Sequence, residues 1–414
     1  MRDEILLNLD NPRQLEKLYR TNQPTFRTAF NALYPQLRDN LLAEGWYQRL
    51  NYNAEGSFWG TLNDRLFVVG ASLLAVLLAQ LPKLLSLQEE FFYTRNVGFI
   101  VFPILIAYFA WKNKIPRQTG LWLVGFILIA IVYINALPRG RLADTLVLAC
   151  IHLPLLLWSL LGFAFGGGRL KSGVNWLGFL RYNGELAVIL ALLLITGGLT
   201  TGLTINLFGL IGWRIETFYF NYIVISGLAA VSIVGTFLTQ VQPALVNKVS
   251  PVIANLFSPV ALVMLVIYLV ATIFSGKDPY HDREFLLLFN ALLVGVMALI
   301  FFSVSETTST GKNPTQILIL FLLSAVTLLV NGIALSAVLF RIAEGGITPN
   351  RAAVLGANML MLLHLLYIGW RLFGALTRKT DLSLVGKSMD FFLPVYGVWS
   401  AVVTFLFPLL FGFK

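Results

Sequence analysis

Residues 317–340 read ILILFLLSAVTLLVNGIALSAVLF, residues 341–351 read RIAEGGITPNR, and residues 352–370 read AAVLGANMLMLLHLLYIGW. Two apolar runs flank a short segment with three charges, two glycines and a proline. About 18 or more apolar residues in a row make a candidate membrane helix, so the stretch reads as a hairpin of two such helices. The turn has ordinary chemistry. Gly345 or Gly346 can take the left-handed conformation that ends a helix, and Thr348 before Pro349 is a hydroxyl cap followed by proline at the first helical position. Turn chemistry leaves Arg341, Glu344 and Arg351 unexplained. Arg341 and Glu344 are three apart, share a helix face and are expected to pair. Arg351 opens the next helix, where the dipole disfavours a cation. The trio is therefore expected to engage another loop, such as GKDPYHDREF at 276–285, or an anionic headgroup.

The rest of the chain matches this hairpin. Of 414 residues 57% are hydrophobic and only 12% charged, half the charge of a typical soluble domain; mean hydropathy is +0.77. The fold class expected is all-α: a polytopic integral membrane protein with about 11 transmembrane helices and a small helical N-terminal cytoplasmic domain. Eleven spans are placed at 66–87, 97–111, 119–137, 145–166, 184–212, 217–240, 252–275, 285–305, 315–340, 351–375 and 390–412, the second being short, with a start within EEFFYTRN at 89–96 left open. Domains are set at 1–62, amphipathic and cytoplasmic, and 63–414, transmembrane.

With the N-terminus inside and the C-terminus outside, the inner segments hold 20 Lys and Arg and the outer ones 9, as the positive-inside rule requires. Lys83 belongs to neither set and is expected to snorkel from the first span. The net charge of +10 thus follows from topology, and no basic stretch carries the interleaved aromatics of a nucleic-acid surface. Cys150 is the single cysteine, so no internal disulfide forms. The polar N-terminus lacks the apolar core of a signal peptide. Within it, Asn-Pro at 11–12 marks a helix entry. Phe26, Phe30, Leu33, Leu37 and Leu41 form one apolar helix face, and seven basic residues balance seven acidic ones up to residue 62. Such a domain is a candidate dock for a cytoplasmic protein.

Ionisable groups inside a bilayer are costly and often functional, yet no Asp or Glu falls in the middle of an expected span. His152 and His364 are the deep titratable residues. Asn206, Asn221, Asn290 and Asn331 are expected to join helices by hydrogen bonds, with a polar cavity as the alternative. Gly198 and Gly202 form a small-xxx-small pair beside Thr200, Thr201 and Thr204, expected to serve close packing; a broken helix at a substrate site is the alternative. The loop 276–285 gathers Asp278, His281, Asp282 and Glu284, but at no metal-site spacing; Asp282 suits a helix cap. Glu89 and Glu90 form an acidic pair in the first outer loop, a position from which a carboxylate can act as a base. The candidate binding residues are Arg341, Glu344, Thr348, Arg351, Asn331, Asp278, His281 and Asp282; no catalytic residue, metal or cofactor is assigned.

RIAEGGITPNR resembles the RIAE-x-G-[IL]-T-x-x-R type segment between two late spans in a bacterial membrane family known as domain of unknown function 4153. FYFNYIVISGL at 218–228 and REFLLLFN at 283–290 are similar to two further segments of that family. The resemblance covers about residues 180–375, excludes the N-terminal domain, and implies a bacterial inner-membrane protein without supplying an activity. Three functional classes follow from the residues: a transporter, channel or lipid-handling protein in contact with membrane lipids; a sensor or scaffold docking a partner through residues 1–62; and an intramembrane enzyme on lipid-linked substrates.

Overall fold

The computed structural model describes residues 1–413 except residue 38 and segments 52–59, 139–142, 169–174, 211–212, 242–249, 275–279, 282, 311–313 and 378–382. Every regular element among the described residues is helical. The chain forms two compact units, Met1–Thr61 and Leu62–Lys414.

The first unit contains α1 (Arg2–Leu7), α2 (Pro12–Thr21), α3 (Gln23–Leu33) and α4 (Leu41–Asn51). Asn11 caps α2 by accepting from the Gln14 amide at 3.2 Å, and Asn22 caps α3 from Thr25 at 3.2 Å. Ile5, Leu15, Phe26, Phe30, Leu33 and Trp46 make its core. Leu37 and Leu41 do not continue the expected face: Leu37 is half-buried and Leu41 exposed. Pro35 stands in a 3₁₀ turn after α3, and without an amide hydrogen it cannot extend the α-helical ladder, so the period breaks there.

Glu16 is gripped by Arg20 Nε and Arg49 Nη1, each at 2.8 Å, while Arg49 lies over the Trp46 ring at 4.6 Å. Hydrogen bonds from Arg20, then Arg49, hold this carboxyl below the usual glutamate range. A depressed folded-state pKa adds stability above the unfolded value, and that stability is lost as pH falls through the folded one. The first unit is therefore expected to become more susceptible to proteolysis as pH drops below about 4. A Glu16→Gln chain, compared in the same digestion of full-length protein, should lack that component of the pH dependence.

The second unit contains α5 (Leu62–Leu84), α6 (Glu89–Lys112), α7 (Arg117–Ala136), α8 (Asp144–Phe165), α9 (Trp176–Leu210), α10 (Glu216–Val241), α11 (Ser250–Phe274), α12 (Arg283–Thr310), α13 (Pro314–Gly345), α14 (Pro349–Leu376) and α15 (Leu384–Leu410). Among the described residues ten helices are long and apolar enough to cross a membrane; the remaining one, α11, has a shorter apolar described part, Ala254–Val270. This is an all-α polytopic membrane protein. Helix α13 packs along α14, with α11 and α12 against it, while α5 lies on α10 and α6 on α8.

Helix α6 starts at Glu89, within the 89–96 stretch left open for the start of the short second span, and Glu89 and Glu90 are exposed in its first turn, where the dipole favours them. Two expectations need correction, each because tertiary pairing lets a helix run through charge. Arg95, expected in a loop, is buried. Its Nη1 donates to the carbonyl of Leu137 at 3.0 Å and also to that of Ile134. At the next residue of each helix Asn96 and Asn135 exchange amide hydrogen bonds at 3.0 and 2.8 Å. Helix α9 starts at Trp176 and α12 runs to Thr310, so both contain carboxylates: Arg181 Nε lies 3.0 Å from Glu185 and 3.3 Å from Glu306, which is 2% exposed.

Two π-helical turns interrupt the spans, at Tyr219–Val224 in α10 and Val402–Leu406 in α15. A π turn displaces the backbone ladder, and an outside donor reaches a carbonyl in each. Lys83 Nζ and Gln80 Nε2 donate to the Asn221 carbonyl at 2.9 and 3.0 Å; Tyr133 donates to the Phe405 carbonyl at 2.8 Å. Lys83 thus spends its ammonium on a neighbouring helix, and Asn221 joins helices through its backbone oxygen.

Helix α14 approaches α15 through Gly356. A Cβ there would collide with the Trp399 indole. Gly→Ala in a helix ordinarily stabilises by up to about 1 kcal/mol. Gly356→Ala is expected to reverse that sign, costing about 1–3 kcal/mol by overpacking, seen as a lowered thermal midpoint in detergent. Trp399→Phe in the same chain should restore most of it.

Candidate functional site

The hairpin 341–351 closes one end of α12, α13 and α14. Gly346, at φ +73°, ends α13, its amide donating to Ile342 at 2.9 Å. Thr348 caps α14 by accepting from the Arg351 amide at 3.3 Å. Arg351 Nη1 folds back onto the Gly346 carbonyl at 2.7 Å, so its cation serves the C-terminus of α13, where the dipole favours it. Arg341 Nε donates to the Tyr280 carbonyl at 2.8 Å, and Tyr280 Oη lies 3.3 Å from Ser336 Oγ. His281 sets its ring edge-on against Phe340 at 5.4 Å. Arg341 and Glu344 form no ion pair; Glu344 is exposed. The pairing expected of them is therefore replaced by a bond from Arg341 to the neighbouring loop. Asp278 and Asp282 lie outside the described residues.

Beneath this cap the three helices carry a chain of amides. Asn290 of α12 donates to the Leu286 carbonyl at 2.7 Å. Asn358 of α14 donates to Asn290 Oδ1 at 2.8 Å, and Asn331 of α13 donates to the Asn358 backbone carbonyl at 3.2 Å. Asn331 and Asn358 are fully buried, and the Oδ1 of each has no hydrogen-bond partner among the described residues. At about 1.5 Å rise per residue, Asn290, Asn358 and Asn331 lie about 10, 14 and 21 Å from the capped helix ends. Asn331 is therefore close to the middle of α13, Pro314–Gly345. Thr327, one turn from Asn331, is also fully buried and gives its hydroxyl to Leu323.

His364 lies two turns beyond Asn358 on α14. It stacks on Phe392 at 4.2 Å, its Nδ1 lies 3.4 Å from Tyr396 Oη, and its Nε2 has no partner among the described residues. His152 instead bonds to the Leu148 carbonyl of its own helix at 2.8 Å. Asn206 likewise turns back to Gly202 at 2.7 Å and, among the described residues, joins no second helix. Among the described residues the packing expected at Gly198 and Gly202 is not seen: no atom of another element lies within 4 Å of a side chain placed there. Asn290 and Asn331 join helices as expected; sequence reasoning passed over Asn358. The signal for Asn358 was its place opposite Asn331 across the hairpin. Compared with known proteins, the chain matches no family model, no curated protein and no solved structure.

Proposed function

We propose that this multi-pass membrane protein is a transporter-class protein of the bacterial inner membrane, with its N-terminus cytoplasmic, and that its solute path passes the Asn290–Asn358–Asn331 cluster. The carrying observation is the pair of fully buried amide oxygens inside the helix bundle that have no hydrogen-bond partner among the described residues. An anchor has no use for them, since each unmade buried hydrogen bond costs about 1–3 kcal/mol. The resemblance of the 341–351 hairpin to family 4153 supports the location. Rows of exposed leucines along the spans, such as Leu199 and Leu203, suit contact with lipid acyl chains.

Cysteine accessibility tests this. With Cys150 replaced by alanine, Asn358→Cys in sealed vesicles should react with a membrane-impermeant thiol reagent from one side. A path open to water requires labelling; an unreactive thiol in a correctly inserted chain overturns the reading.

A second reading, sensor or scaffold, draws on the first unit, which has its own core and an open groove of about 610 Å³ bordered by Arg13, Glu16, Leu42, Trp46 and Arg49. A truncation lacking residues 1–61 that keeps the full-length phenotype would remove its basis.

A further inference from the structure

We propose that the first unit self-associates: α1 of one copy docks in the groove of a second copy of this chain, and the exchange is reciprocal. The groove, about 610 Å³, is lined by the apolar Pro12, Leu42, Gly45 and Trp46 and by the charged Arg13, Glu16 and Arg49. A Cβ at Gly45 would meet nothing within 4 Å, so the groove is open at that point. Arg20 and Arg49 share the carboxylate of Glu16, which with Arg13 leaves three guanidinium groups against one acid. Arg13 is exposed and enters no ion pair among the described residues. Such a groove suits an apolar segment that carries negative charge.

Helix α1 has that chemistry. Asp3, Leu6 and Leu7 are three and four residues apart and share one helix face, opposite Ile5, which is fully buried. Leu7 is 83% and Leu6 44% exposed. Asp3 is exposed and enters no ion pair among the described residues. A single exposed leucine is ordinary on a protein surface. Here two flank an unpaired acid, and a groove of the opposite charge lies in the same unit. A surface that carries both halves of a contact is self-complementary, and two copies satisfy each other about a two-fold axis. Asp3 of one copy then meets Arg13 of the other, while Leu7 reaches Gly45 and Trp46. The contact is small, because α1 is about 9 Å long at a rise of about 1.5 Å per residue. Symmetry makes it twice in each pair, and confinement of both copies to one membrane raises the effective concentration at which it acts.

The self-contact rests on the sensor-or-scaffold reading in treating the groove as a docking site, and a cross-link tests it without any phenotype, so the two fail separately. Two full-length chains with Cys150→Ala, distinguished by tag, are produced in the same membrane; one carries Leu7→Cys and the other Gly45→Cys. Neither change touches the core. Mild oxidation should join them in a mixed disulfide dimer, well above a control in which Leu41→Cys replaces Leu7→Cys. Leu41 is 86% exposed and is not among the residues lining the groove. Asp3→Arg in the Leu7→Cys chain sets like charges against each other and should cut the mixed dimer about tenfold. Arg13→Asp in the Gly45→Cys chain should then restore it by swapping the pair. A mixed dimer no more abundant than the control overturns the self-contact, as does a cross-link indifferent to Asp3→Arg.

Discussion

Replacing Arg181 by alanine is expected to cost about 3–5 kcal/mol of stability, the usual effect of removing one member of a buried ion pair. Arg181 faces two carboxylates, Glu185 at 3.0 Å and Glu306 at 3.3 Å. Both belong to membrane helices, and the side chain of Glu306 is 2% exposed. Without the guanidinium, two like charges confront each other where water enters poorly. The size of the effect comes from the carboxylates left behind, so neutralising one should offset it. In Arg181→Ala/Glu306→Gln the loss should shrink to about half, a coupling that a double-mutant cycle isolates. Thermal midpoints of the wild type, both single variants and the double variant in one detergent check this. Additive losses would show that Arg181 acts by packing its stem rather than by charge.

Arg95→Leu is the second change with a large expected effect. The last carbonyls of a helix have no partner of their own, and in a bilayer each unmet one costs several kcal/mol. Arg95 donates to Ile134 and Leu137 from a neighbouring helix, and its charge also meets the negative end of the α7 dipole. Leucine keeps the volume and removes every donor, so the expected loss is about 3 kcal/mol or more, at about 1.5–3 kcal/mol for each charge-assisted bond. Lysine, with one nitrogen in place of a fork, should recover part of it. Hydrogen exchange offers a local readout: amides near 133–136 should lose protection in Arg95→Leu before the rest of α7. Uniform protection would separate Arg95 from the end of that helix.

The hairpin at 341–351 was legible because its rules are local. A glycine with positive φ, a threonine cap and a proline at the first position each act within one turn of chain. The spans were legible because apolar length is a sum over neighbours. The failures share another cause. Arg181 and Glu306 are 125 residues apart, and hydropathy alone reads each as the limit of a span. Only their meeting allows α9 and α12 to continue. Arg95 looked like a loop cation for the same reason. Asn358 was missed differently: an amide in an apolar run looks like any interhelical glue until its partner is counted out from the turn. From Gly345 back to Asn331 is 14 residues and from Pro349 on to Asn358 is 9, which puts them within about a turn and a half of one level.

The π-helical turns at 219–224 and 402–406 bear on how this chain tolerates changes in length. Each amounts to one residue inserted into an α-helix. Deleting one residue from either would restore a regular ladder, the locally easier structure. The same deletion would leave the flanking faces nearly in phase, because the wide turn absorbs the extra residue, but it would close the displaced carbonyl into the regular ladder. In α10 it would carry the Asn221 carbonyl away from Lys83 and Gln80; in α15 it would carry the Phe405 carbonyl away from Tyr133. Other chains with this fold should therefore keep these two segments at constant length even where their residues differ, with gaps falling in the loops instead.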